Sequence, residues 1–206
     1  MVVAVGISYI VCKICPLAPR RGNNSLAQGI ALGKHDKYPN ALKGQKCIIN
    51  KNNNNMPQSL AKLYVHLIFH VKTTSPKIND ADLDKLHSYI GSIINATGCI
   101  TVWVNGIGDH VHALFVLSKD QSVSHVVEEV KRNSSRWIKS LAPGYAWFAW
   151  QGGYGAFSVS QSVVGKTLEY IKSQREHHKK CSFADEYRMF LKSYGIDYDE
   201  RYVFKD

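Results

Sequence analysis

The sequence predicts an α+β protein: a four-stranded antiparallel sheet with two helices packed on one of its faces. Two alternating strands, over residues 63–71 and 110–117, are the first observation. Two stretches of helical apolar spacing, one after Asn79 and one after Ser118, are the second. The third is the chain order of strand, helix, strand, strand, helix, strand, which is the split βαβ arrangement of ferredoxin-like folds.

The first strand carries Val65, Leu67, Phe69 and Val71 on one face and Tyr64, His66, Ile68 and His70 on the other. Asn79 or Asp80 then caps a helix whose Leu83, Leu86, Ile90, Ile93 and Ile94 make an apolar stripe, with Gly98 to end it. A β-branched run over residues 99–104 reads as the second strand, and Asn105-Gly106 as the turn into the third. The second helix places Val123, Val126, Val127, Val130, Trp137, Ile138 and Leu141 on one stripe, and Pro143-Gly144 stops it. Residues 146–150 read as the fourth strand and residues 152–155 as a loop. A last helix is expected over residues 158–180, packing through Val164, Leu168 and Ile171. The sheet face away from the two helices is expected to stand open.

Residues 1–55 differ from the rest. They hold eight Lys and Arg against Asp36 alone, whereas the other 151 residues hold eighteen basic and fifteen acidic side chains. Most of the formal net charge of +10 therefore sits at the front, and the balance favours a polyanionic partner. No helical or strand period runs through residues 20–55, and residues 51–55 are low in complexity. We read residues 1–55 as a disordered or dispensable extension and residues 56–206 as the functional domain. Cys12 and Cys15 have redox or zinc spacing, but no second cysteine pair follows. With Cys47, Cys99 and Cys181 they read as reduced thiols of a cytoplasmic protein. No run of eighteen apolar residues is present, which excludes a helical membrane protein.

His110 and His112 lie two apart on the third strand, so both point to the face opposite Val111, Ala113 and Phe115. Two readings are open: half of a metal site, or a chance pair on a half-buried strand. On the last helix Tyr170, Gln174, His177 and His178 share one stripe. His177 and His178 read either as a solvated pair at a helix C-terminus or as neighbours of a nucleic-acid phosphate. Lys131, Arg132, Arg136 and Lys139 read either as a phosphate grip or as a solvated helix face. Trp147, Trp150 and Tyr154 read as base-stacking rings or as core.

Three stretches taken in order carry a family resemblance: His110-Val111-His112, then Trp150-Gln151-Gly152-Gly153-Tyr154-Gly155-Ala156-Phe157-Ser158-Val159-Ser160, then Tyr170-Ile171-Lys172-Ser173-Gln174-Arg175-Glu176-His177-His178. Together they resemble the single-tyrosine HUH transposases of the insertion-sequence-200/605 type, including the repeat-associated tyrosine transposases. The resemblance spans about residues 56–194. It implies a DNA transposase that cuts and rejoins single-stranded DNA through a 5′-phosphotyrosine. Tyr170 is then the nucleophile, on a C-terminal catalytic helix, and His110, His112 and Gln174 are the metal ligands. The resemblance further implies Mg²⁺ or Mn²⁺ as cofactor, with Zn²⁺ also acceptable to imidazole ligands. It also implies hairpin-bearing single-stranded DNA as substrate, a homodimer in which the tyrosine helix of one subunit can complete the metal site of the other, and no nucleotide cofactor. Lys172, His177 and His178 join the four basic residues of the second helix as DNA contacts.

Three other readings compete with this one. A histidine-triad hydrolase needs a third histidine where this chain has Leu114. A replication initiator or relaxase usually orders its elements differently and carries a partner domain. A non-catalytic ferredoxin-like module that binds hairpin DNA or RNA is the alternative from another class.

Overall fold

The computed structural model describes residues 59–204. The expectation for residues 1–55, with Cys12, Cys15 and Cys47, lies outside the described residues. The elements run β1 (Leu63–His70), α1 (Asp80–Ala96), β2 (Ile100–Ile107), β3 (His110–Leu117), α2 (Val123–Leu141), β4 (Gly155–Val159), α3 (Val164–Lys172), α4 (Gln174–His177), α5 (Phe183–Ser193) and α6 (Glu200–Val203). The strands form one sheet in the order β2-β3-β1-β4, every neighbouring pair antiparallel. This is the ferredoxin-like arrangement that the chain order predicts.

The inner face of the sheet is built as the alternation requires. Val65, Leu67 and Phe69 of β1 and Val111, Ala113 and Phe115 of β3 are buried against Leu83, Leu86, Ile90 and Ile94 of α1 and Val126, Val130 and Ile138 of α2. Burial of each such side chain contributes about 1.5–3 kcal/mol. Ser122 caps α2 by accepting from the His125 N–H at 3.2 Å. After α1, Gly98 takes φ +83°, the left-handed conformation that glycine adopts without a Cβ penalty.

The β2–β3 hairpin turns later than Asn105-Gly106 suggests. Ile107 pairs with His110, so Gly108 and Asp109 make the turn and Asn105 and Gly106 belong to β2. Both residues have other work. The Asn105 side chain donates to the carbonyls of Ile171 at 2.8 Å and Lys172 at 3.1 Å, which fastens the end of α3 to the sheet. A Cβ on Gly106 would stand 2.2 Å from the His110 carbonyl oxygen. Gly106→Ala is therefore expected to push the strands apart beside His110 and to destabilise the fold by about 1–3 kcal/mol or more. A thermal melt reads this directly.

The fourth strand is also displaced. Residues 146–150 are not a ladder strand; they follow a 3₁₀ turn at Pro143–Tyr145, and Trp150 makes a single bridge to Val71. Phe148 and Trp150 face the helical core instead, the indole donating to the Ser134 hydroxyl at 2.9 Å. The paired strand is β4, where Gly155, Phe157 and Val159 are buried and Ala156 and Ser158 are exposed. The glycines ahead of it mask that alternation in the sequence.

The single helix expected over residues 158–180 is likewise revised. Residues 155–159 are taken by β4, α3 starts at Val164, and the helix breaks at Ser173 before the short α4. The second sheet face is not open. Ile68 and Phe157 pack under Tyr187, Phe190 and Leu191 of α5, and Leu114 and Val159 pack under Ile171 of α3. An apolar pair such as Ile68 and Leu114 on that face requires a cover, and the C-terminal helices supply it. Among the described residues no helix is long and apolar enough to cross a membrane.

Candidate active site

The covered face buries His110 and His112, both 0% exposed, in the middle of the sheet. Each ring is fixed from behind. Asp109, in the hairpin turn, sets its Oδ1 2.8 Å from His110 Nδ1. That bond, aided by Lys77, holds the Asp109 carboxyl well below the usual carboxylate range. His66 on β1 sets its Nε2 2.9 Å from His112 Nδ1. Burial lowers the pKa of His66 and of His112, so this pair stays neutral and shares one proton along the bond. In both metal-ligand candidates the other nitrogen, Nε2, faces inward.

From the opposite side α3, α4 and α5 bring four more groups. The Tyr170 hydroxyl on α3 donates to Glu186 Oε1 on α5. Gln174 Nε2 donates to the same oxygen at 3.3 Å, while Gln174 Oε1 lies 3.3 Å from His110 Nε2 and 3.0 Å from His178 Nε2. His178 Nδ1 donates to the Cys181 carbonyl at 2.9 Å. Glu186 Oε2 lies 3.3 Å from His112 Nε2, 3.3 Å from His178 Nε2 and 3.8 Å from His110 Nε2. Glu186 is 1% exposed.

These charges set one another. Burial alone would raise Glu186, but the surrounding imidazoles of His112, His178 and His110 outweigh it and keep the carboxylate ionised. Burial would lower His178, but Glu186 and the Cys181 carbonyl raise it above the ordinary imidazole value. Burial, and then the Glu186 charge, push the Tyr170 phenol far above its ordinary value, so the hydroxyl is protonated in this arrangement. The pocket thus favours a positive charge between Glu186 and the histidines.

His112 Nε2 and Glu186 Oε2 are buried without a hydrogen-bond partner, although they face each other. One nitrogen or oxygen from each of His110, His112, His178 and Glu186 lies within 4.8 Å of the others. A buried set of imidazoles and a carboxylate is the donor chemistry of a transition-metal site.

The structure brings Tyr170, Gln174, His110 and His112 together, as the sequence analysis expects. It also places His178 in this cluster, and His177 beside it, with its ring 5.4 Å from that of Tyr170. Glu186, His66 and Asp109 were missed as site residues. Strand alternation does put His66 on the histidine face, but the register that brings it to His112 is not readable from β1 alone. Glu186 has no motif spacing to reveal it.

The basic candidates scatter. Arg136 and Lys139 are exposed on α2. Arg132 pairs with Glu128 and Glu129, and Lys172 with Glu169, its ammonium 5.2 Å from the exposed Trp103 ring. Lys131 is half-buried, its ammonium donating to the carbonyls of Gln151, Gly152 and Gly153 at 2.6, 3.1 and 2.6 Å. Burial pulls its pKa down to about 8. Lys131→Met is expected to loosen this glycine loop and to cost about 2 kcal/mol of stability, since bonds to a charged donor contribute about 1.5–3 kcal/mol. A denaturant melt measures the loss. Of the aromatic candidates, Trp150 is core, whereas Trp147 is 87% exposed.

An antiparallel α+β sheet with a His-x-His strand, faced by a helix-borne tyrosine across a buried carboxylate, gathers metal-binding groups and a hydroxyl at one site. The chain belongs to the family described as "Transposase IS200 like", which matches residues 59–174, more than half of its length. It is a member of a DNA transposase family. Among solved structures it is similar to a protein crystallised as a candidate transposase of Deinococcus radiodurans R1, at 23% identity and a TM-score of 0.46, over 59% of this chain and 98% of that one. It is also similar to a REP-associated tyrosine transposase bound to a REP hairpin, at 12% identity and a TM-score of 0.46, over 61% of this chain and 74% of that one. No curated protein matches it at a significant level.

Proposed function

We propose that this transposase cleaves and rejoins single-stranded DNA through a 5′-phosphotyrosine on Tyr170. The observation that carries the reading is the Tyr170 hydroxyl inside a buried histidine–carboxylate cluster on the sheet, four residues before Gln174 across the break at Ser173. The Tyr170 oxygen bonds to the scissile phosphorus as the phosphorus–3′-oxygen bond breaks. The phenolic proton is given up, and the leaving 3′-oxygen ends as a hydroxyl. The phosphotyrosyl link conserves the bond for rejoining, so neither ATP nor another nucleotide cofactor takes part.

The residues present fit a divalent cation, because His112 Nε2 and Glu186 Oε2 are buried, unpartnered and facing. His110, His112 and Gln174 would hold it, with Mg²⁺ or Mn²⁺ as the working cofactor. When bound, it would supply orientation of the phosphate and stabilisation of the charge that builds on phosphorus. The protein's own groups do the rest. Asp109 and His66 hold the two imidazoles in orientation. Glu186, braced by the Gln174 amide, holds the phenol over the histidines. Tyr170 and His177 are partly exposed, so the DNA reaches the cluster from their side.

We assign the substrate as hairpin-bearing single-stranded DNA, gripped by Arg136 and Lys139, with Arg132, Lys172 and His177 in support, and stacked on Trp147. The enzyme is read as a cytoplasmic homodimer. The test uses the full chain, labelled single strands from the flank of its own gene, and Mg²⁺ or Mn²⁺. A covalent protein–DNA band on a denaturing gel, lost with EDTA, is expected. Tight hairpin binding with no adduct at any flank or metal would replace this reading with the non-catalytic binding module.

A further inference from the structure

We propose that His178 and Glu186 join His110, His112 and Gln174 as metal ligands, so that this protein's centre holds three imidazoles and a carboxylate and selects Mn²⁺ or another transition-metal ion over Mg²⁺. The inference deepens the proposed function and rests on its reading of a metal at His110 and His112. Both added ligands lie beyond the segment that matches the family, which ends at residue 174.

Orientation carries the assignment first. Three rings converge on one oxygen, and each is held by its far nitrogen: His110 by Asp109, His112 by His66 and His178 by the Cys181 carbonyl. A partner on Nδ1 that turns Nε2 toward a common point is how metal-binding histidines are supported. At that common point Glu186 Oε2 sits 3.3 Å from two of the nitrogens and 3.8 Å from the third. It accepts no hydrogen bond there, though it is buried. A carboxylate oxygen left bare among three imidazoles in a dry pocket is costly unless a cation shares it.

The two oxygens of Glu186 divide the work. Oε2 faces the histidines, and Oε1 accepts from the Tyr170 hydroxyl and the Gln174 amide. One side chain on α5 thus ties the ion to the nucleophile. The donor set also fixes the class of ion. Mg²⁺ prefers oxygen ligands and retains several waters, whereas imidazole suits Zn²⁺, Co²⁺ and Mn²⁺.

The experiment titrates the metal-free full-length protein with Co²⁺, following its visible absorption, and repeats the titration in excess Mg²⁺. Wild type, His178→Ala, Glu186→Ala, Glu186→Gln and His112→Ala are compared, with circular dichroism to confirm folding. Expected are Co²⁺ binding that Mg²⁺ does not displace and a loss of affinity of more than about 100-fold for Glu186→Ala, beyond the range of outer-shell partners. His178→Ala and the near-isosteric Glu186→Gln should weaken binding at least tenfold, and the latter still reports if the alanine variant fails to fold. Wild-type affinity in both Glu186 variants, or effective competition by Mg²⁺, overturns the proposal. So does a wild-type protein that binds no Co²⁺. No DNA enters this titration, so an expected metal result without any DNA adduct would sink the cleavage reading and leave the ligand set standing.

Discussion

Tyr170→Phe is expected to abolish the covalent protein–DNA adduct while leaving the fold in place. The ring itself is structural: it packs near His66, His112 and Phe190 at centroid distances of 6.4, 6.0 and 5.9 Å, and phenylalanine keeps those contacts. Only the hydroxyl is lost. Glu186 Oε1 then retains the Gln174 amide at 3.3 Å as its donor. Losing one hydrogen bond to a charged acceptor costs about 1.5–3 kcal/mol, a modest shift in melting temperature. Removing a nucleophile is a far larger effect, on the order of a thousandfold or more in rate. A denaturing gel separates the two, since adduct should vanish at protein concentrations where the variant is fully folded. A band that survives the substitution assigns the chemistry to another residue.

How much of this was legible in the sequence depends on the range over which each signal acts. Strand alternation is local, and it placed His110 and His112 opposite Val111 and Ala113 as found. Helical spacing is local too, and it put Tyr170 within a turn of Gln174. Asn105-Gly106 failed as a turn because its glycine answers to a cross-strand carbonyl and its asparagine to the end of α3. Both demands are tertiary. Residues 146–150 failed as a strand because an aromatic run fills a core as readily as it pairs, and Trp150 and Phe148 fill one. The cover on the second sheet face went unread because α5 looks like any amphipathic helix until Ile68 and Leu114 ask for a partner. Glu186 came with that cover. A single carboxylate on a surface-patterned helix carries no sign that it will be buried, and only the docking of α5 reveals it.

The second large effect concerns folding as much as chemistry. His112→Ala is expected to abolish metal-dependent cleavage, leaving activity at the level seen with EDTA, and to destabilise the metal-free protein by about 1–3 kcal/mol. The cost arises because His66 loses its hydrogen-bond partner and Glu186, ionised and 1% exposed, loses the polar ring 3.3 Å from its Oε2. An uncompensated buried charge is more costly than the absent pair, so adding Glu186→Gln to His112→Ala should recover part of the loss. Denaturant melts in EDTA of the wild type, the two single variants and the double variant measure this coupling. Equal destabilisation of His112→Ala with and without Glu186→Gln would show that His112 does not hold the carboxylate. Metal extends the same logic. An ion that binds only the folded state adds about 2.7 kcal/mol at a hundred times its Kd. That increment should appear in the wild type and be missing from His112→Ala.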